Sequence, residues 1–147
     1  MVEIISKSAN ETKKIAVSLA EKIKERSLLK TALVIALEGD LGSGKTTFIQ
    51  GLAKELGVKE NVLSPTFVIQ KDFSLSLKNF RNFYHIDAYR LKNSNELLDL
   101  GFEDLIKNSE NLIVIEWADK IRRILPKHII KIKFFNLGGN RRKISII

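Results

Sequence analysis

Eight consecutive residues of this chain have the types and spacing that bind a nucleoside triphosphate. Residues 39–46 read Gly-Asp-Leu-Gly-Ser-Gly-Lys-Thr and fit the phosphate-loop pattern G-x-x-x-x-G-K-[ST]. Glycine tolerates positive φ and close backbone approach, so Gly39, Gly42 and Gly44 predict a loop whose N–H groups converge on phosphate oxygens. A helix starting near Lys45 would add unpaired N–H groups and the positive end of its dipole. This segment therefore predicts binding of a nucleotide such as ATP.

The side chains of this loop have separate predicted roles. Lys45 supplies a positive charge to the β and γ phosphates, and the Thr46 hydroxyl is placed to coordinate Mg²⁺. Thr47 is expected to reach the α phosphate. The alternative is a glycine-rich turn that carries a surface lysine. The backbone around the phosphates is expected to come from Asp40, Leu41, Gly42, Ser43 and Gly44.

Acidic residues that hold Mg²⁺ and orient water should lie at the carboxyl ends of strands beside the loop. Glu116 directly follows the apolar run 112–115, as a metal-site carboxylate does after a buried strand. Asp87 lies within His85-Ile-Asp-Ala-Tyr-Arg, where residues 85, 87 and 89 are predicted to share one face of a strand. His85, Asp87 and Glu116 could each orient the attacking water, and the sequence does not choose among them.

Each of these three residues also has a purely structural interpretation. Glu116 could be an exposed strand end, Asp87 could pair with Arg90 or a surface lysine, and His85 could be a core histidine with its hydrogen bonds satisfied. Two further residues, Trp117 and Thr66, also have both a functional and a structural interpretation. Trp117 could stack on the adenine or ribose or belong to the core. Thr66, in Ser-Pro-Thr-Phe, could be a switch threonine that closes over the γ phosphate, or an ordinary loop residue.

Length and composition predict a single domain over residues 1–147. The chain contains no cysteine and no apolar run of the eighteen or so residues that a membrane span needs, so we expect a soluble cytoplasmic protein without membrane contact.

The net charge is +8, and the basic residues are concentrated toward the C-terminus. They could form an RNA or acidic-partner surface or simply a solvated face: Lys120, Arg122, Arg123, Lys127, Lys131, Lys133, Arg141, Arg142 and Lys143.

The order of predicted elements indicates an α/β protein with the three-layer fold of P-loop nucleotide-binding proteins. Its mixed central sheet should have parallel core strands at the nucleotide and antiparallel hairpins at the edges. Strands are expected at 3–6, 32–37, around 67–69, and at 83–91, 112–115, 129–137 and 143–147, with 74–82 as an exposed connection. Helices are expected at 11–25 after a cap at Ser8 or Asn10, at 47–56 ended by Gly57, at 94–105 starting at Ser94 or Asn95 and broken by Gly101, and at 119–125 ended by Pro126.

The ordered motifs of the chain resemble those of the TsaE (YjeE) family. They are the phosphate loop with Thr47, Ser64-Pro-Thr-Phe, His85-Ile-Asp-Ala-Tyr-Arg, Leu100-Gly-Phe-Glu-Asp and Ile115-Glu-Trp-Ala-Asp. This resemblance implies an ATPase that assists threonylcarbamoyl modification of adenosine in tRNA as a nucleotide-gated partner of the TsaD and TsaB proteins. Its activity is expected to be weak alone and stimulated by these partners, and its contact with tRNA to be indirect or weak. It also implies that Lys45 binds phosphate, that Thr46, Asp87 and Glu116 surround Mg²⁺, and that Trp117 lies near the nucleotide.

The chain departs from the usual family motifs at three positions: Val68 in place of a threonine, Ala88 in place of a bulkier apolar residue, and Asp119 in place of a glutamate. None of them touches the phosphate loop or the proposed metal carboxylates.

Three other functions fit the sequence less well than an ATPase of this family. A small-molecule kinase would use the same loop, with Arg122 and Arg123 as a basic lid, but the chain has no insertion long enough to enclose an acceptor. A GTP switch would need Asn-Lys-x-Asp, which the sequence lacks. A purely RNA-binding module would leave the phosphate loop unexplained.

Overall fold

A computed structural model describes residues 1–27, 29–63 and 68–147. Seven strands in it form one mixed sheet in the order β1-β7-β6-β2-β5-β4-β3. The four inner strands, β6, β2, β5 and β4, run parallel to one another. β7 pairs antiparallel with β6 and β3 pairs antiparallel with β4, and β1 pairs antiparallel with β7 at the outer edge. The strands are β1 Val2–Ser6, β2 Leu33–Glu38, β3 Gln70–Ser74, β4 Asn82–Asp87, β5 Asn111–Glu116, β6 Ile130–Gly138 and β7 Arg141–Ile146.

Helices cover both faces of this sheet, so the predicted three-layer α/β architecture is confirmed. Every residue of β2 and β5 is buried, as expected for parallel strands with a helix layer on each side. Alternate residues of β2 enter two separate cores. Leu33, Ile35 and Leu37 pack with helices α1 and α2, and Val34 and Ala36 pack with α3, α4 and a 3₁₀ segment. These helices are α1 Ala9–Lys24, α2 Lys45–Glu55, α3 Ser94–Asp99 and α4 Phe102–Lys107, and the 3₁₀ segment is Ala118–Ile124.

Short-range chemistry explains where the two long helices start and stop. Ser8 caps α1, because its hydroxyl accepts a hydrogen bond from the Glu11 N–H at 3.1 Å, while the Glu11 carboxylate accepts from the Lys7 N–H at 2.6 Å. Helix α2 begins after Gly44 and is followed by Gly57, whose φ of 99° is left-handed. The sequence prediction of Ser8 and Gly57 as helix boundaries is confirmed.

The predicted helix 94–105 is broken at Gly101, as expected from the sequence. It consists of α3 and α4, separated by Gly101, which has a φ of 88°. Helix α3 starts at Ser94, one of the two predicted starts, and Asn93 before it is the cap. The Asn93 side chain accepts a hydrogen bond from the Asn95 N–H at 3.0 Å. The backbone of Asn93 is extended, as is typical of an N-cap residue, and the helix begins at the next residue.

Two strand boundaries and one exposure prediction also need correction. β4 ends at Asp87 rather than at residue 91, because the chain turns there. β3 starts at Gln70, after Ile69 with a φ of 65°, and Phe67 lies outside the described residues. The connection 75–81 is partly buried, since Leu75 and Phe80 enter the core and the Asn79 amide donates to the carbonyls of Ile23, in the last turn of α1, and of Arg26 just after it. None of the helices in the described part of the chain is long and apolar enough to cross a membrane.

Candidate nucleotide-binding site

The phosphate loop joins β2 to α2 at the carboxyl edge of the parallel strands. Gly39, Gly42 and Gly44 have φ values of 149°, 73° and 101°, as the sequence predicts. A Cβ on Gly39 would lie 2.7 Å from the Phe134 carbonyl oxygen, so only glycine fits between the loop and β6. The left-handed Gly44 starts α2 without any side-chain cap, which leaves the first N–H groups of the helix available to an anion.

Lys45 is folded back onto this loop. Its ammonium donates to the carbonyl oxygens of Gly39 and Asp40, the latter at 2.9 Å, and lies 4.3 Å from the centre of the Trp117 ring. Burial lowers the pKa of Lys45, and the carboxylates of Glu116 and Asp87 oppose that shift. The ammonium is also 3.4 Å from the Ser43 hydroxyl, so its hydrogen-bond partners are neutral groups, and it can exchange them for phosphate oxygens because a hydrogen bond between two charged groups is stronger.

Glu116 connects the loop helix to the neighbouring strand. Its Oε1 accepts a hydrogen bond from the Thr46 hydroxyl at 3.0 Å, and its Oε2 lies 2.7 Å from Nε2 of His85. The carboxylate is buried, so Glu116 is not the exposed strand end that the sequence left open. Thr46 and Glu116, both predicted around Mg²⁺, are thus in direct contact.

Asp87 lies beside Glu116, because these residues are register partners at the ends of the parallel strands β4 and β5. Its Oδ1 accepts a hydrogen bond from the Tyr89 N–H at 2.9 Å, and this contact closes the turn that ends β4. Consequently Tyr89 does not share the strand face of residues 85 and 87, and that part of the prediction is wrong. Its ring packs against Trp117 with a centroid separation of 5.0 Å.

Trp117 occupies the carboxylate side of the loop. It follows Glu116 directly and has a left-handed backbone with φ of 58°, which is unusual for a bulky residue. One part of the indole packs against the core, and another part lies over the Lys45 ammonium. Its ring therefore lies beside the lysine of the phosphate loop.

These residues line one cleft of about 460 Å³. Among the predicted site residues, the lining includes Leu41, Gly42, Ser43, Gly44, Lys45, Thr46, Thr47, Asp87, Glu116 and Trp117. His85 is buried behind that surface, Asp40 is exposed outside the cleft, and Thr66 lies outside the described residues. Six further residues of the described part of the chain also line the cleft: Ser8, Ala9, Thr12, Tyr89, Asn140 and Arg142. The sequence had grouped Tyr89 with His85 and Asp87, and a glycine-rich turn precedes Arg142, but no spacing rule connects the start of α1 to the loop.

The donor set suits Mg²⁺ better than a transition metal. In the described ranges, no group of three or more His, Cys, Asp or Glu side chains is arranged to hold a metal ion. Mg²⁺ commonly takes one or two protein carboxylates and completes its shell with water and substrate phosphate. Two adjacent carboxylates and one hydroxyl, at Asp87, Glu116 and Thr46, therefore fit it.

The arginine proposed as a kinase lid is engaged elsewhere. Arg122 donates to both carboxylate oxygens of Glu38, at 3.3 and 3.2 Å, and Lys131 lies 3.9 Å from the same carboxylate. Arg122 does not line the cleft, and neither does Arg123. This arrangement removes the sequence feature that favoured a kinase.

Comparison with known proteins gives consistent results. The family model described as "Threonylcarbamoyl adenosine biosynthesis protein TsaE" matches residues 6–144. A tRNA threonylcarbamoyladenosine biosynthesis protein TsaE from Rickettsia felis is 38% identical over 98% of this chain and 78% of the relative. The protein of the same name from Bacillus subtilis is 38% identical over 76% of this chain and 67% of the relative. The crystal structure of Bacillus subtilis YdiB has a TM-score of 0.76 and 30% identity, and the match covers 99% of this chain and 83% of that one.

Proposed function

The chain belongs to the TsaE family of threonylcarbamoyl adenosine biosynthesis proteins, and we propose that it is a Mg²⁺-dependent ATPase that acts as a nucleotide-gated partner of TsaD and TsaB. The observation that carries the proposal is the contact between the Thr46 hydroxyl and the Glu116 carboxylate at the mouth of the phosphate loop. That contact joins the phosphate-binding helix to the carboxylate side of the cleft. A protein that only bound phosphate would not need it.

The sheet order supports one orientation of ATP in the cleft. β5 and β4, with Glu116 and Asp87, lie on one side of β2, whereas β6 and β7 lie on the other. The triphosphate would point its γ phosphate toward the carboxylates, where Mg²⁺ can lie between the negative groups. The nucleoside would then extend toward Arg142 and the start of α1, near Thr12, which line the opposite end.

The side chains divide the work as follows. Lys45 would exchange its loop carbonyls for phosphate oxygens, and the Thr46 oxygen would hold Mg²⁺ while its hydroxyl still donates a hydrogen bond to Glu116. When bound, Mg²⁺ offsets the negative charge of the phosphate oxygens. Thr46 and His85 hold the Glu116 carboxylate in place, so we assign Glu116 and its register partner Asp87 to the Mg²⁺ site, and Asp87 also to orientation of the attacking water. The rings of Tyr89 and Trp117 limit solvent access on this side.

The gating part of the proposal concerns residues 64–67, which lie outside the described residues. Its support is the Ser-Pro-Thr-Phe sequence, in which Thr66 resembles a threonine that contacts a γ phosphate. A nucleotide changes such a segment only if it binds one arrangement better, at about 1.4 kcal/mol per tenfold shift. Full nucleotide-dependent docking by a Thr66→Ala variant would contradict this part.

The test is ATP turnover with Mg²⁺, measured for the chain alone and with purified TsaD and TsaB. We expect turnover that the pair stimulates and that Lys45→Ala abolishes. Lys54→Ala is the matched control, because Lys54 lies exposed on the same helix. Absence of both stimulation and binding to the pair would contradict the proposal, and phosphate transfer to a small acceptor would favour a kinase.

A further inference from the structure

His85 lies at the back of the site and has no access to the cleft. Its side chain is fully buried, its Nε2 is 2.7 Å from the Glu116 Oε2, and its Nδ1 has no hydrogen-bond partner within the described ranges. A carboxylate can only accept, so the imidazole donates from Nε2. In the neutral ring Nδ1 then carries no proton and remains a buried acceptor without a partner among the described residues.

This geometry argues against a direct role of His85 in hydrolysis. A group that orients water must reach it within hydrogen-bond distance or through one water, whereas the His85 ring does not line the cleft and spends its donor on Glu116. Whatever His85 contributes to the reaction must act through that carboxylate.

Packing alone does not account for a histidine here either. His85 follows the core residue Phe83 on the same face of β4, and its register partner on β5 is the buried Val114. An apolar side chain would fill this place without leaving a buried nitrogen unpaired, since an unpaired polar group is costly in a core. The imidazole supplies one thing that an apolar residue lacks, a fixed donor aimed at Glu116.

We propose that His85 is a positioning residue that fixes the Glu116 carboxylate for Mg²⁺ binding. This inference rests on the proposed function. Two donors hold the carboxylate, Thr46 at Oε1 and His85 at Oε2, so both its rotamer and its plane are set before a metal arrives. Partners behind a metal ligand typically change metal affinity or activity by about 10- to 100-fold when removed.

Two variants of His85 separate positioning from packing. The Gln amide nitrogen can reach the place of the imidazole Nε2, whereas the shorter Asn cannot. Binding of a fluorescent N-methylanthraniloyl-ATP is measured against Mg²⁺ concentration and again in EDTA. For His85→Asn we expect a half-saturating Mg²⁺ concentration about 10- to 100-fold higher, with binding in EDTA unchanged. His85→Gln should recover most of the Mg²⁺ affinity.

A purely structural role would give a different pattern. Both variants would then lose melting temperature and bind the probe more weakly with and without Mg²⁺. That result, or a folded His85→Asn with unchanged Mg²⁺ dependence, would overturn the inference. If the wild-type chain itself shows no Mg²⁺-dependent binding, the proposed function fails instead, so the two failures are distinguishable.

A second measurement needs no His85 variant and covers the case in which His85→Asn does not fold. In the NMR spectrum of the wild-type chain, a slowly exchanging proton on Nε2 of His85 should move when Glu116 is replaced by Gln. A His85 ring that carries its proton on Nδ1 alone would contradict the inference. So would an Nε2 proton whose chemical shift does not change on Glu116→Gln.

Discussion

Thr46, at the start of α2, donates its hydroxyl proton to Glu116, which lies 70 positions later at the end of β5. The 3.0 Å contact joins the two halves of the site, and it exists because β2 and β5 are parallel neighbours whose carboxyl ends meet at one edge. The phosphate loop and the carboxylates are therefore coupled before any ligand binds.

Loss of the Thr46 hydroxyl should weaken Mg²⁺-dependent nucleotide binding. Thr46→Val keeps the side-chain shape but removes both the metal-facing oxygen and the donor to Glu116, so we expect about a 10- to 100-fold loss of Mg²⁺ affinity. Calorimetric titration of ATP with and without Mg²⁺ measures this loss. Thr46→Ser keeps the hydroxyl and should stay close to the wild-type value; equal losses in both variants would argue against the assigned role.

As the pH rises, nucleotide affinity should begin to fall at a lower pH than it would if Lys45 had the pKa of an ordinary lysine. Burial lowers the pKa of Lys45 from its usual 10.5, and phosphate binds the ammonium rather than the amine. Affinity is thus complete below the lowered pKa and declines as the pH rises through it. Binding of labelled ATP between pH 7 and 10 gives the profile. Lys45→Arg keeps its charge throughout, so a decline of the same size in that variant would assign the effect to another group.

Nucleotide binding should change the fluorescence of Trp117, the single tryptophan of the chain. Its ring lies 4.3 Å from the Lys45 ammonium, and phosphate would draw that ammonium away. The emission should therefore respond to inorganic triphosphate as well as to ATP. A response to ATP but not to triphosphate would place the indole at the base instead. Lys45→Ala should abolish the response to both.

Arg142 should contribute to ATP affinity from the side of the cleft opposite the carboxylates. A Cβ placed on Gly44 would lie 3.9 Å from the Arg142 Cγ, so this side chain borders the start of α2. We expect Arg142→Gln to weaken ATP binding by about tenfold, or about 1.4 kcal/mol. Arg141→Gln is the matched control, because that neighbour is exposed and does not line the cleft. Equal effects of the two substitutions would indicate general charge attraction.

Truncation of Phe48 should destabilise the fold by about 3–5 kcal/mol. Phe48 on α2 is fully buried and meets Phe134 of β6 edge to face, with a centroid distance of 5.5 Å. Phe48→Ala would leave a cavity beneath the phosphate-binding helix, and urea unfolding measures the loss. Lys54→Ala, on the exposed face of the same helix, should change the free energy of unfolding by no more than about 0.5 kcal/mol.

Sequence reasoning worked where local chemistry determines structure. The glycine spacing of the loop requires the positive φ values that are found, Ser8 caps α1, and the continuous apolar runs of β2 and β5 become the doubly covered centre of the sheet. It was incomplete at element ends that depend on one side-chain hydrogen bond among several competing polar residues. Asn93 caps α3, so that the helix begins at Ser94 and not at Asn95, and Asp87 closes the turn that stops β4 before Tyr89.

By itself the sequence determined which chemical groups this protein has and which of them lie directly after a strand, because short-range patterns determine where loops, helices and strands form. The tertiary structure decided which groups meet. Sheet order brings Thr46 onto Glu116 and the hairpin residue Arg142 to the loop, and it buries His85 behind the Glu116 carboxylate, away from the cleft. Pairing of distant strands depends on the sum of many packing contacts, and no short motif carries that information.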